Sequence, residues 1–180
     1  MKLPWKKINS KTVYVNPWFR VREDKVVKPN GKKGKYCVLE TKAPSVFTVA
    51  LTKNKEIYLI NQYRYPTKKF CWEVPGGGSN NEDLLTAAKR ELWEETGLIA
   101  RDWKKIGMFN PMSGICSENM YVFLAKNLEQ TGKNKKHEEG IGTIKKFPFK
   151  DVLKMIKNGE IVEGQSCLSV LQAGLFLGYI

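Results

Sequence analysis

Three glutamates, Glu91, Glu94 and Glu95, stand at i, i+3 and i+4, downstream of a run of Gly76, Gly77 and Gly78. On a helix this spacing gathers three carboxylates within one turn. Carboxylate oxygens are the ligands that hard divalent cations such as magnesium select. A glycine run lets backbone approach a ligand closely, a phosphate included. The combination points to metal-assisted chemistry at a phosphate.

Such glutamates need a helix to hold them. Pro75 and the glycines after it end a strand. Ser79 and Glu82 have capping-box spacing, and Glu82 and Asp83 suit a helix N-terminus. Leu84, Leu85, Ala88 and Leu92 recur at helical spacing and form an apolar stripe. Gly97 is placed as the C-terminal stop. For stability alone the glutamates are badly sited, because the last turn favours cations. Glu91 and Glu95 form a like-charged i,i+4 pair, at a cost of roughly 0.2–0.5 kcal/mol. At 100° per residue both point within roughly 20° of Leu84, so they edge the buried face. Broken local rules of this kind mark functional sites, and a bound cation would offset the repulsion. The competing reading is a solvated acidic helix end with Arg90 paired to Glu94. The glycine run at fixed distance weighs against it.

The full pattern over residues 76–98 is Gly-x5-Glu-x7-Arg-Glu-Leu-x-Glu-Glu-x-Gly-Leu. It resembles the Nudix box of the Nudix hydrolases at every fixed position. The resemblance implies an α/β/α sandwich with a mixed sheet and hydrolysis of a diphosphate linkage with Mg2+, or Mn2+, as cofactor. By the same resemblance Gly76, through its carbonyl, and Glu91, Glu94 and Glu95 are metal ligands, and Glu95 is also catalytic. Arg90 orients the glutamates, and Glu82 lies in an outer or structural position.

A second stretch narrows the branch. Gln62, Arg64, Trp72, Glu73 and Pro75 lie in a run that resembles the pyrophosphatases of ADP-ribose and nucleoside diphosphate sugars. There the arginine of Gln-x-Arg, here Arg64, reaches the substrate diphosphate, and Glu73 holds the substrate or Arg64. The branch exchanges its N-terminal β section between two subunits and stacks aromatics on the base. Trp18 and Tyr36 fall where those aromatics would, and core or interface packing accounts for them equally well. Residues 111–118 resemble the branch's loop after the box, but Ser113 stands where a proline often precedes the glycine. Glu118 is a candidate substrate or metal contact, or a surface carboxylate. Related enzymes take a catalytic base from a loop before the last strand, which makes Glu138 and Glu139 the candidates. His137, the lone histidine, is not assigned a role.

Elsewhere the chain reads as strands first and helices last. Residues 11–43 form a β-rich section with a hairpin turn at Pro29, Asn30 and Gly31. Strands are expected at 45–51, 56–65, 70–74, 103–109, 120–126 and 141–147, and helices at 149–158 and 166–177. This order suits a mixed sheet between helices. The expected division is residues 1–43 as the N-terminal β section, for dimerisation and base recognition, and 44–180 as the hydrolase domain. A chain of 180 residues can bury a substantial core. The four cysteines are scattered with no Cys-x-x-Cys pair, as in a reduced, cytoplasmic protein. No apolar run is long enough to span a membrane.

The net charge of +13 favours anionic partners. A small nucleotide-sugar substrate meets that requirement. No helix-turn-helix, zinc or aromatic RNA-binding motif supports a nucleic-acid binder. Two alternatives stay open: a Nudix hydrolase of RNA 5′ ends or other nucleotides, and a non-catalytic nucleotide sensor. Repulsive carboxylates have no use in the latter.

Overall fold

A computed structural model describes residues 4–132, 134, 135, 138 and 140–180. Three strands come first: β1 (Lys6–Val15), β2 (Phe19–Val27) and β3 (Lys33–Thr41), an antiparallel meander in the order β1-β2-β3. Gly31, at φ 80°, makes the turn between β2 and β3. Asn16 shapes the turn between β1 and β2, its Oδ1 accepting the Trp18 and Phe19 N–H groups at 2.9 and 2.8 Å.

Seven further strands follow: β4 (Ser45–Ala50), β5 (Glu56–Arg64), β6 (Lys69–Glu73), β7 (Gly76–Gly78), β8 (Leu98–Phe109), β9 (Met120–Gln130) and β10 (Ile141–Pro148). Helix α1 (Leu84–Thr96) lies between β7 and β8, and α2 (Phe149–Lys157) and α3 (Gly164–Leu177) close the chain. One sheet has the order β7-β4-β9-β8 and is mixed, with β4 and β9 parallel. A second, antiparallel sheet has the order β10-β5-β6.

Alternation along β4 and β9 builds two cores from one sheet. Val46, Ala50, Phe123 and Ala125 face the α1 side, where Ala87, Ala88, Leu92 and Leu98 bury against them. Phe47, Val49, Val122 and Leu124 face the other way, towards Phe149, Val152, Val170 and Ala173 of α2 and α3. Leu51, Ile57 and Leu59 join that second core and tie the two sheets together. The result is an α/β/α sandwich, as the resemblance implies.

Two local expectations need correction. Gly76, Gly77 and Gly78 are a strand, paired antiparallel with Phe47, Val46 and Ser45. A Cβ at Gly76 would collide with the Val46 carbonyl oxygen, so glycine here permits strand pairing at close range. Ser79 does not cap α1. Asn80 and Asn81 both take positive φ, 51° and 65°, and turn the chain so that Asp83 becomes the cap. The Asp83 carboxylate accepts the Leu85 and Thr86 N–H groups at 3.0 and 3.1 Å. Strand β8 also starts earlier than expected, directly after the left-handed Gly97 (φ 71°).

Candidate active site

The end of α1 carries the glutamates into a cavity of about 480 Å³. Glu91, Glu94 and Glu95 all line it, together with Gly76, Arg64 and Trp18. Glu95 is buried, and its Oε2 accepts the Gly76 N–H at 2.8 Å, fixing helix to strand. A Cβ on Gly77 would come within 2.7 Å of Glu91 Oε1, so only glycine leaves that carboxylate its place.

Arg90 organises the cluster from behind. Its Nη1 donates to Glu91 Oε1 at 2.7 Å and to Glu94 Oε2 at 3.0 Å. Its Nε donates to Glu82 Oε2 at 3.0 Å and its Nη2 to the Gly78 carbonyl at 2.9 Å. Burial opposes the charge on Arg90, but these carboxylates outweigh it and raise the guanidinium pKa. Glu82 thus lies beside the cluster and contacts it through Arg90.

Lys135 contributes from the loop before β10. Its Nζ donates to Glu94 Oε1 at 2.7 Å, and its backbone N–H to the Glu94 carbonyl at 2.6 Å. Burial pushes the Glu94 carboxyl up, and Lys135 and Arg90 overcome this and hold it below the usual carboxylate value. Glu138 is exposed on the same loop, its N–H donating to the Lys135 carbonyl at 2.9 Å. Glu139 and His137 lie outside the described residues.

The donor set is all oxygen and suits a hard cation. Among the described residues no three acidic, histidine or cysteine side chains converge as a ready ligand cluster. Arg90 and Lys135 pair with Glu94, and the Gly76 N–H pairs with one oxygen of Glu95. The Lys135 ammonium rests on Glu94 as a cation would. The three carboxylates line one cavity without converging, and their oxygen donors are of the kind a hard divalent ion selects.

Arg64 closes the cavity from the end of β5. Its Nε donates to both oxygens of Glu73, at 2.9 and 3.1 Å, and its Nη2 to Oε2 at 2.5 Å. Glu73 is buried, whereas the Arg64 side chain is 41% exposed. Burial pushes the Glu73 carboxyl up against the opposing pull of Arg64. The same hydrogen bonds raise the Arg64 pKa. Glu73 therefore orients Arg64 and does not itself face the cavity.

Trp18 comes from the turn between β1 and β2 and is 74% exposed, with its surface on this cavity. Tyr36 does not reach it. Its hydroxyl donates to the Gly114 carbonyl, and its ring meets Trp5 edge-on at 5.2 Å. Glu118 does not line this cavity; its Oε1 accepts the Ser45 hydroxyl at 2.5 Å.

A second cavity, of about 390 Å³, shares Arg64, Gly76 and Gly77 with the first. Its other walls include Ser45, Thr67, Glu163 and Gln165, none of them expected from the sequence. Lys135 belongs to a loop cluster of lysines suited to attract the substrate, but its pairing with Glu94 was not expected. No short spacing announces these residues, because loop and sheet closure bring them in from distant positions.

The matches to known proteins follow the same outline. Residues 41–165 match the NUDIX domain, more than half of the chain. The chain belongs to the Nudix hydrolase family. Residues 5–39 match the nucleoside diphosphate sugar hydrolase N-terminal domain. An ADP-ribose pyrophosphatase of Mycobacterium tuberculosis is 32% identical over 168 residues, covering 91% of this chain and 80% of that protein. An ADP-ribose pyrophosphatase of Bacillus subtilis is 28% identical over 144 residues, covering 79% and 77%. Among solved structures, that of an ADP compounds hydrolase superposes with a TM-score of 0.85 at 20% identity, over 97% of this chain and 94% of that one. That likeness speaks to the fold. Among the described residues no helix of this Nudix hydrolase is long and apolar enough to cross a membrane.

Proposed function

We propose that this Nudix hydrolase cleaves the diphosphate linkage of a nucleoside diphosphate sugar, ADP-ribose or a similar one such as GDP-mannose. The products are a nucleoside monophosphate and a sugar phosphate. One observation carries the reading: a single cavity is lined by Trp18, Arg64, Gly76 and all three of Glu91, Glu94 and Glu95. The relatives' names, ADP-ribose pyrophosphatase, agree with it.

In this reading Glu91, Glu94, Glu95 and the Gly76 carbonyl would hold the metal. Magnesium, or manganese, would supply charge neutralisation there and lower the pKa of a water. Arg90 keeps the carboxylates in place. Arg64, braced by Glu73, binds the diphosphate with a fork suited to phosphate oxygens. Trp18 offers an exposed indole face to the base. Glu95, Glu138 or Glu139 takes the proton from the attacking water. Water adds to one phosphorus as the bridging P–O bond breaks, and the bridging oxygen leaves with the other phosphate.

Residues 1–43 are proposed as the dimerising, base-recognising section, and residues 44–180 as the hydrolase domain of a homodimer that exchanges the former. The four free cysteines suit a cytoplasmic setting.

The test is product analysis with ADP-ribose, GDP-mannose, a dinucleoside polyphosphate and 5′-triphosphate RNA, each with and without magnesium. Nucleoside monophosphate released from a sugar nucleotide, only with the cation, is the expected result. Turnover confined to RNA, with steep salt dependence, would overturn the substrate class.

A further inference from the structure

The second cavity carries an inference that rests on the reading above and deepens it. Arg64, Gly76 and Gly77 line both cavities. A diphosphate bound at Arg64 is therefore within reach of both, one substituent to each. The first side has the glutamates and the 74% exposed Trp18. The second is lined by Ser45, Phe47, Pro66, Thr67, Glu163 and Gln165.

The chemistry of that second lining is selective. Phe47 is buried, so it offers little ring to stack on a base. It has no lysine, and its one cation is the shared Arg64. Glu163 acts electrostatically on Arg64 and sets a negative charge against any further phosphate. The occupant is thus neutral. The polar groups are hydroxyl, amide and carboxylate, spread over three elements. Gln165 sits at the start of α3, and its side-chain amide makes no hydrogen bond with any described residue. An amide brings two donors and an acceptor. Thr67 Oγ1 donates only a long bond, 3.3 Å, to the Arg64 carbonyl. Ser45 donates to Glu118, which leaves its oxygen lone pairs to accept. Glu163 spends both oxygens on the Gln165 and Ser166 N–H groups, at 3.1 and 2.7 Å, and so fixes where Gln165 stands.

We propose that this cavity is the subsite for the sugar beyond the diphosphate, with Gln165 and Thr67 reading its hydroxyls. A neutral polyol offers these groups donors and acceptors, needs no ring to stack on and brings no charge to oppose Glu163. Discrimination by unpaired polar groups is the stronger kind of selectivity.

The experiment is binding by titration calorimetry with magnesium present, using two non-hydrolysable probes. One is the α,β-methylene analogue of ADP-ribose. The other is the β-methyl ester of α,β-methylene-ADP, which has the same base and diphosphate but no sugar hydroxyls. The proteins are wild type, Gln165→Leu and Thr67→Val, with thermal melts to verify folding. For the ADP-ribose analogue, each variant is expected to raise Kd about three- to tenfold, the size of one lost hydrogen bond. For the methyl ester no change is expected. Equal weakening of both probes, or no change in either, would overturn the subsite. Hydrolysis of ADP-ribose by wild type is measured alongside. Selective weakening without any turnover would leave the subsite standing and sink the catalytic reading instead. A wild type that binds neither probe overturns both.

Discussion

The N-terminal meander and the α/β/α sandwich are built on opposite terms. In the sandwich nearly every inward position of β4 and β9 is buried, and Leu92 of α1 is fully enclosed. In the meander every residue of β1 is exposed, including Ile8, Val13, Tyr14 and Val15. Only Asp24 and Val26 of β2 are buried there. It joins the sandwich through backbone bonds such as Leu39 N–H to the Ile115 carbonyl at 2.7 Å and Ser117 N–H to the Leu39 carbonyl at 3.1 Å. Yet it sends Trp18 into the glutamate cavity. One region thus holds the chemistry rigid through burial. The other has too little core to be stable by itself, and its exposed apolar strand is the kind of surface a partner covers.

The contrast can be broken from either side. Leu92→Ala removes a fully buried side chain beneath the glutamates and is expected to cost about 2–5 kcal/mol by denaturant unfolding. That is a large share of a typical domain's ~5–15 kcal/mol. A loss under ~0.5 kcal/mol would mean that this core does not carry the fold. Trp18→Ala should do the reverse. It should raise KM about ten- to a hundredfold, the range of one base–aromatic stack, and leave the melting temperature within about 2 °C. Unchanged KM would remove Trp18 from substrate binding.

The meander's role as an interface is sharpened by Val13→Lys. Light scattering is expected to give a dimer for wild type and a monomer for the variant, with the sandwich still folded. A wild-type monomer would contradict the exchange of β sections. The smallest effect is in acid. Ser10 donates to Asp24 at 2.6 Å, and with Arg22 it holds the Asp24 carboxyl below its ordinary value despite burial. A carboxyl depressed in the folded state stabilises above its unfolded pKa and loses that contribution as pH falls through the folded value. The wild-type melting temperature should therefore drop more steeply below about pH 4 than that of Asp24→Asn. Parallel curves would show that Asp24 contributes nothing to acid stability.

What the sequence revealed followed the range of its signals. The spacing of Glu91, Glu94 and Glu95 is local, and the helix that carries it starts and stops within a few residues of expectation. The apolar run over residues 45–51 was equally legible as a strand, because burial on both faces removes the polar alternation. Ser79 failed as the cap because two asparagines in positive φ followed it, and local spacing does not encode that turn. Tyr36 had two readings, base stacking or packing, and within this chain strand register directs it to Gly114 and Trp5. Gln165 and Thr67 lie far apart in sequence and meet only when α3 docks beside the turn after β5. Lys135 had the look of one solvated loop lysine among several, and only loop closure sets it on Glu94.

The central claim is that the glutamate cavity breaks a diphosphate with a bound cation. The most direct measurement is the rate of nucleoside monophosphate release from ADP-ribose by wild type and Glu95→Gln, with magnesium and with EDTA. Glutamine keeps an oxygen that can accept the Gly76 N–H, so the fold should survive. Wild type should turn over only with magnesium, and the folded variant should lose about 10²–10⁴ in kcat. A variant as fast as wild type, or a wild type indifferent to EDTA, would contradict the account.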